Sequence, residues 1–468
     1  MPKKHIKNIN QGKIISAAMK NADKAAESIT LTPTWKHLLK FAFPTILSML
    51  IMNTMGIVDG LMASNLIDPM ALAPISVVFP FVGFAMAVGL LLGVGGNALI
   101  AKKLGEGREK EGKQNFTFIT IVGLIASLII MAVGLFSPDF IMNILGPDEF
   151  IRGMALDYMR PLVWFLPTTV LGMIFQQFLI TVGKAHYSAI SATIGGILSA
   201  VLNFVFIRHL DMGIQGAALA TSIGYTIPTL VGLAYFTFAR KSSLCFVIPT
   251  IDFRALGRTC INGASEMVTM LAASITAVIM NNVLMDLGGW EAQSAAGVVF
   301  GGMGIFAALF IGYSSGVAPI ISYNYGKGDT DNLKKSYSNS LRLVGILSVT
   351  SVILGFVFTN LLIRIYNIPV GVPMHNMAQT GFRFLAGSFI FMGFNTFASM
   401  FFTALNNGVV SSILSLFRTL IFVIIAFLTL PTIFGLTGAW LAMPVAEVLG
   451  IVMTIIFFKI MKKKYSYA

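Results

Sequence analysis

What most constrains this chain is a succession of twelve apolar runs joined by short polar connections. Their cores are residues 37–62, 73–101, 115–136, 154–181, 186–208, 213–238, 258–285, 295–323, 338–361, 377–405, 409–431 and 436–460. A helix needs about 20 apolar residues to cross a hydrocarbon core, and each run reaches that length. Only 11% of the 468 residues are charged, against about 25% in an ordinary soluble domain. The 19 acidic and 32 basic side chains cannot cover the surfaces of a soluble protein of this size. The sequence therefore excludes a soluble or disordered chain and predicts an all-α integral membrane protein with twelve transmembrane helices.

The net charge of +13 would fit a nucleic-acid binder if the charge were clustered on one domain, but it is not. Lysines and arginines gather in the first 40 residues, in 102–113, at Lys184, in 240–258, in 327–342 and in 459–464, leaving Arg152, Arg208 and Arg364 in the alternate connections. Cytoplasmic loops are enriched in Lys and Arg, so twelve spans with both termini in the cytoplasm are expected, in a cell inner (plasma) membrane. The charge then faces an anionic leaflet, with no nucleic-acid partner. Two cysteines, Cys245 and Cys260, make neither a disulfide framework nor a zinc site. No secretory signal peptide is expected at the polar N-terminus.

The chain also repeats itself. Residues 77–107 align without gaps on 298–328, at an offset of 221, with Val77/Val298, Phe79/Phe300, Gly83/Gly304, Gly95/Gly316, Gly105/Gly326 and Gly107/Gly328 identical. Near the end of each half, Gly213, Gly216, Ala217 and Ala220 match Gly435, Gly438, Ala439 and Ala442 at offset 222. Six spans separate the copies, an even number, so both halves have the same orientation. The expectation is two six-helix bundles related by a pseudo-two-fold axis along the membrane normal. In residue terms this gives a basic tail (1–35), an N-lobe (36–240, helices 1–6), a cytoplasmic linker (241–254) and a C-lobe (255–468, helices 7–12) with a short basic tail.

Ionisable residues within spans are costly and functional by default. Asp59 lies late in the first run, Glu266 in the seventh and Glu447 in the twelfth. Arg418, in the eleventh, is placed to pair with Glu447, and structural pairing and a transport role stand about level for those two. Asp59 has no evident basic partner in its own half. Gln176 and Gln177 in the fourth run, Ser199 and Asn203 four apart on one face of the fifth, and Thr221 in the sixth add oxygens. With Asp59 they suit a hard cation such as Na+, making Asp59 a candidate Na+ ligand, while a proton would need Asp59 alone. Ordinary interhelical hydrogen bonding is the plain alternative.

Chemistry of other kinds is missing. The four Gly-Lys pairs are followed by Ile14, Gln114, Ala185 and Gly328, never by the Ser or Thr of a P-loop. The five histidines sit in the tail or near span ends and form no paired metal motif. No enzyme, no bound cofactor and no catalytic residue is expected.

Several stretches together resemble the multidrug and toxic compound extrusion (MATE) family. They are Phe43-Pro44 and Val58-Asp59-Gly60 in the first run, Ala71-Leu72-Ala73-Pro74, Gly95-Gly96-Asn97 and Leu104-Gly105-Glu106-Gly107 around the second, Leu202-Asn203-Phe204 in the fifth, Gly213 through Thr221 opening the sixth, and Gly435 through Trp440 opening the last. Glu266 and Phe391 through Asn395 are most similar to the MepA-like bacterial branch. The resemblance covers nearly the whole chain from about residue 36. It implies a secondary antiporter that exports organic, often cationic, compounds in exchange for Na+ or H+. It also implies an N-lobe ion site at Asp59, Gln176, Ser199, Asn203 and Thr221, and a C-lobe site at Glu266 and Asn395, with Glu447 and Arg418 as further C-lobe candidates. At Asn203 and Asn395 the family often has acids, so the coupling ion stays open between Na+ and H+. Rival readings are a lipid-linked saccharide flippase of the same superfamily and a non-transporting membrane receptor. Small organic substrates, the bilayer and a monomeric state complete the expectation.

Overall fold

A computed structural model describes residues 33–67, 72–145, 149–239, 242–366 and 368–468. Most of the tail expected over 1–35 lies outside these residues, as do Arg240 and Lys241. All the regular structure among the described residues is helical. A chain whose helices are apolar on every side satisfies its backbone polar groups internally, as a bilayer demands.

The first six spans are α1 (Trp35–Leu66), α2 (Leu72–Gly105), α3 (Glu109–Phe136), α4, α5 (Ala185–His209) and α6 (Gly213–Phe238). A short helix, Pro138–Leu145, precedes α4. α4 is broken: Glu149–Trp164 and Leu166–Thr181 meet at 55° around Phe165. Pro167 at the start of the second piece has no N–H to donate back across the break. The last turn of α5, Val205–His209, winds as a π-helix. A second group of spans begins with α7 (Phe253–Gly289), α8 (Glu291–Lys327), α9 (Thr330–Ile365) and α10 (Pro373–Ala404).

The final helical run, Gly408–Tyr465, has 58 residues, about 87 Å of helix at 1.5 Å per residue. That is far more than the roughly 30 Å hydrocarbon core requires. Gly435, at φ 56 and ψ −138, divides it into α11 (408–434) and α12 (436–465). Gly289, at φ 64, makes the same break between α7 and α8. A side chain at either position would be strained in this left-handed region. With the last run divided at Gly435 and bent α4 taken as one span, the described residues form twelve spans, as the hydropathy pattern predicts.

Each half has its own apolar core. Met142, Met159, Val163 and Ala218 sit in one N-lobe cluster, Phe116, Phe175, Phe178 and Phe236 in another. Phe382, Phe389, Phe427 and Trp440 anchor the C-lobe. A further core joins the lobes, with Leu38, Ala42, Ile46 and Val94 packed with Tyr313, Val317 and Phe401. All of it lies toward one end of the molecule, where α1 begins and α2 and α8 end. We call this the basic end, because Lys102, Lys103, Arg108, Lys327 and Lys334 cluster there.

Small residues let the two lobes touch backbone to backbone at that end. A Cβ on Gly95 would strike the Thr259 carbonyl, one on Gly263 the Leu91 carbonyl, and one on Gly316 the Ala42 backbone. Asn406, at φ 57 between α10 and α11, donates across the lobes to the Ala98 carbonyl at 3.1 Å and accepts from Asn262 at 2.9 Å. Toward the opposite end, Gly83 and Gly304 meet across the lobes only the tips of Met270 and Asn53. The lobes are thus sealed at the basic end and looser at the other.

Candidate functional site

In the N-lobe three helices converge on one carboxylate. Gly195 on α5 packs on the Gly224 carbonyl of α6, so no side chain holds those helices apart. Ser199 and Thr221, one turn from these glycines, and Asn203, two turns from Gly195, point at Asp59 of α1. The Ser199 hydroxyl donates to Asp59 Oδ1 at 3.1 Å, the Asn203 amide donates to the same oxygen at 2.9 Å, and the Thr221 hydroxyl donates to Oδ2 at 3.1 Å. Every partner is neutral, and no cation lies within 4 Å of this carboxylate among the described residues. Hydrogen bonds to an ionised group are each worth about 1.5–3 kcal/mol, so the three donors stabilise the charged carboxylate without neutralising it. Asn203 is fully buried, and its Oδ1 has no hydrogen-bond partner. An unpaired acceptor therefore sits beside an uncompensated negative charge.

Asp59 opens on a cavity of about 140 Å³ lined also by Phe79, Val82, Met86, Tyr158, Thr221 and Tyr225. The two tyrosines face the acid from α4 and α6. Sequence reasoning missed both, because a tyrosine ring in an apolar run counts as apolar until the carboxylate beside it is seen. Gln176 stays apart from this cluster. It lies five residues before the end of α4, near the basic end, where its Oε1 accepts from Ser188 at 3.5 Å. Gln177 is its buried neighbour, and Thr181 one turn on donates to Asn97 of α2 at 2.8 Å. The α4 amides thus belong to helix packing at another depth.

The C-lobe holds its acid differently. Arg418 lies in a π-helical turn, Phe417–Ile421, of α11. Its Nη1 donates to Glu447 Oε1 at 3.3 Å and to Thr396 at 3.1 Å. Asn395 donates to Glu447 Oε2 at 2.7 Å and to the Glu447 carbonyl at 2.9 Å, and accepts from Thr454 at 2.9 Å. The pair is nearly enclosed, with side-chain exposures of 11% and 9%. Asn395 is therefore joined to Glu447 and not to Glu266. Glu266, on α7, stands within electrostatic reach of Arg418 but makes no hydrogen bond or ion pair among the described residues.

A sequence model of the family described as MatE matches this chain twice, over residues 44–205 and 266–428. The chain belongs to the MatE family. The two matches begin 222 residues apart, the spacing of the internal repeat. Among relatives, the multidrug export protein MepA of Staphylococcus saprophyticus is 23% identical over 418 residues, covering 88% of this chain and 91% of that protein. MepA of Staphylococcus aureus strain MRSA252 is likewise 23% identical, over 421 residues and 89% of this chain. A crystal structure of a MATE protein in complex with MaL6 superposes with a TM-score of 0.88 at 19% identity, covering 95% of this chain and all of the other. A multidrug resistance MATE transporter in an outward-facing conformation gives 0.87 at 19% identity over 94% of this chain. This MatE protein is a multi-pass membrane transporter and not an enzyme.

Proposed function

We propose that this MatE protein is a secondary antiporter of the plasma membrane. It exports small organic compounds, cationic ones above all, in exchange for Na+ or H+ by alternating access, with both termini cytoplasmic and the chain acting as a monomer. The relatives named as multidrug export proteins support the direction and the cargo class. The observation that carries the coupling is Asp59, a carboxylate ringed by neutral donors beside the unpaired Asn203 oxygen.

A Na+ ion needs several oxygens. The Asp59 carboxylate, the Asn203 Oδ1 and the hydroxyls of Ser199 and Thr221 are the oxygens within reach. A proton needs only Asp59, and on binding it removes the charge that the three donors stabilise. Either event changes what this corner of the N-lobe attracts, and a ligand that favours one state shifts the equilibrium between states. The 140 Å³ cavity takes an ion and its waters. Drug-sized molecules occupy about 300–1,000 Å³, so the exported compound sits in the looser cleft between the lobes. Glu266 on α7, with no hydrogen bond or ion pair among the described residues, is the counter-charge we assign to a cation there.

The flippase alternative requires free mid-membrane cations to hold a pyrophosphate. Arg418 is engaged by Glu447, which argues against it. The test is gradient-driven flux of a fluorescent organic cation into proteoliposomes, first under a Na+ gradient and then under a pH gradient. Flux under one gradient alone names the ion; flux under neither, with several chemically distinct dyes, refutes the antiporter reading.

A further inference from the structure

At the basic end, between the lobes, lies a second polar cavity unconnected with Asp59. It measures about 350 Å³ and is lined by Lys103, Arg108 and Glu111 from α2, the α2–α3 turn and α3, and by Asp252, Arg254 and Arg258 from the opening of α7. One wall belongs to the N-lobe and the other to the C-lobe. On the N-lobe wall the charges are largely spent. Glu111 takes Lys103 at 3.2 Å and a two-pronged contact from Arg108 at 2.6 and 2.8 Å, while Glu106 takes Arg108 at 3.0 Å. These two carboxylates hold the Arg108 guanidinium firmly protonated. On the C-lobe wall Asp252 caps α7, accepting from the Ala255 N–H at 2.9 Å.

Arg254 and Arg258 are left over. They stand four residues apart, on one helix face, and neither forms an ion pair or hydrogen bond among the described residues. The cavity thus has four cations and two acids, and its unspent donors are guanidinium groups. Guanidinium matches the geometry of phosphate oxygens with two parallel N–H donors. The site also lies where helices end at the lysine-rich face, the depth at which basic pockets between spans meet anionic headgroups.

We propose that this cavity binds a phosphate-type oxyanion, a phospholipid headgroup or free phosphate, which bridges Arg254 and Arg258 to the N-lobe and holds the lobes shut at the basic end. Because the walls belong to different lobes, separating them there destroys the site. An anion bound only to the closed arrangement must shift the protein toward it. The bilayer, or the phosphate concentration on that side, would then set how readily the basic end opens.

The experiment uses the full chain with Cys245 and Cys260 replaced by alanine and spin labels at Glu109→Cys and Lys334→Cys, one on each lobe. The inter-label distance is followed in detergent during titration with inorganic phosphate at constant ionic strength. It is then followed in nanodiscs of phosphatidylcholine with and without phosphatidylglycerol. The expected result is a larger short-distance population when the anion is present. Arg254→Gln with Arg258→Gln, both exposed and so tolerated by the fold, should weaken the effect at least about 100-fold in anion concentration. Lys110→Gln, equally basic and outside the cavity, should leave it unchanged. A response to phosphate in detergent assigns the site to the free anion, and a response only to phosphatidylglycerol assigns it to the headgroup. No response to either, or an equal loss in Lys110→Gln, overturns the proposal.

Discussion

The two lobes share a fold and a repeat spacing, yet they hold Asp59 and Glu447 in opposite ways. In the N-lobe, Asp59 is surrounded by hydroxyls and an amide and keeps its charge uncompensated. In the C-lobe, Glu447 is clamped between Arg418 and Asn395, and its charge is already answered within the protein. A repeated backbone therefore delivers one carboxylate held only by neutral donors and one paired with a guanidinium. Pairing a buried charge internally costs desolvation and secures geometry. Leaving it with neutral donors alone is what the proposed cation site at Asp59 rests on.

The largest effect that could break this contrast is at Asp59. Asp59→Asn should cut ion-driven flux by at least about 100-fold, since the lost charge–ion interaction exceeds roughly 3 kcal/mol. Initial rates in proteoliposomes measure it. In the C-lobe the consequence should be structural. Arg418→Met or Glu447→Leu alone strands a buried charge and should destabilise by about 3–5 kcal/mol, read as a lowered unfolding midpoint in detergent. The double variant, with both charges gone, should recover most of that loss.

Gly263→Leu places a side chain against the Leu91 backbone and should wedge the basic end apart. Spin-label distances there should lengthen while Asp59 keeps its donors. Smaller still, Thr221→Val or Ser199→Ala removes one donor. Hydrogen bonds inside membranes are worth about 0.6–2 kcal/mol, so the affinity for Na+, which those hydroxyls would ligate, should fall by a few-fold to about 30-fold, whereas proton binding should not weaken. Gln176→Ala should leave ion affinity unchanged, because that amide reaches Ser188 and not Asp59.

The coarse architecture was legible because hydropathy and charge are additive along a chain. Twelve apolar runs and alternating basic connections need no knowledge of packing, and the glycine-rich repeat showed itself as a constant offset. Even the Arg418–Glu447 pair could be read, as two opposite charges that cannot stay unpaired in hydrocarbon. What the sequence lacks is depth. Gln176 shares a span with the part of α4 that approaches Asp59, but the bend at Phe165 and the eleven residues from there to Gln176 carry it toward the other end. Asn395 was matched to Glu266 by its span, yet its rotation on α10 turns it to α12. Tyr158 and Tyr225 escaped notice because their rings count as apolar until a neighbouring carboxylate is seen beside them.

The most direct test of the contrast compares three proteins in one preparation: wild type, Asp59→Asn, and the double variant Arg418→Met with Glu447→Leu. Each is placed in proteoliposomes, and dye flux is driven by whichever gradient powers the wild type. Flux should vanish in Asp59→Asn and persist in the double variant. Flux that survives the loss of Asp59 and disappears with the Arg418–Glu447 pair would contradict this, and would place coupling at the pair whose charges are already matched.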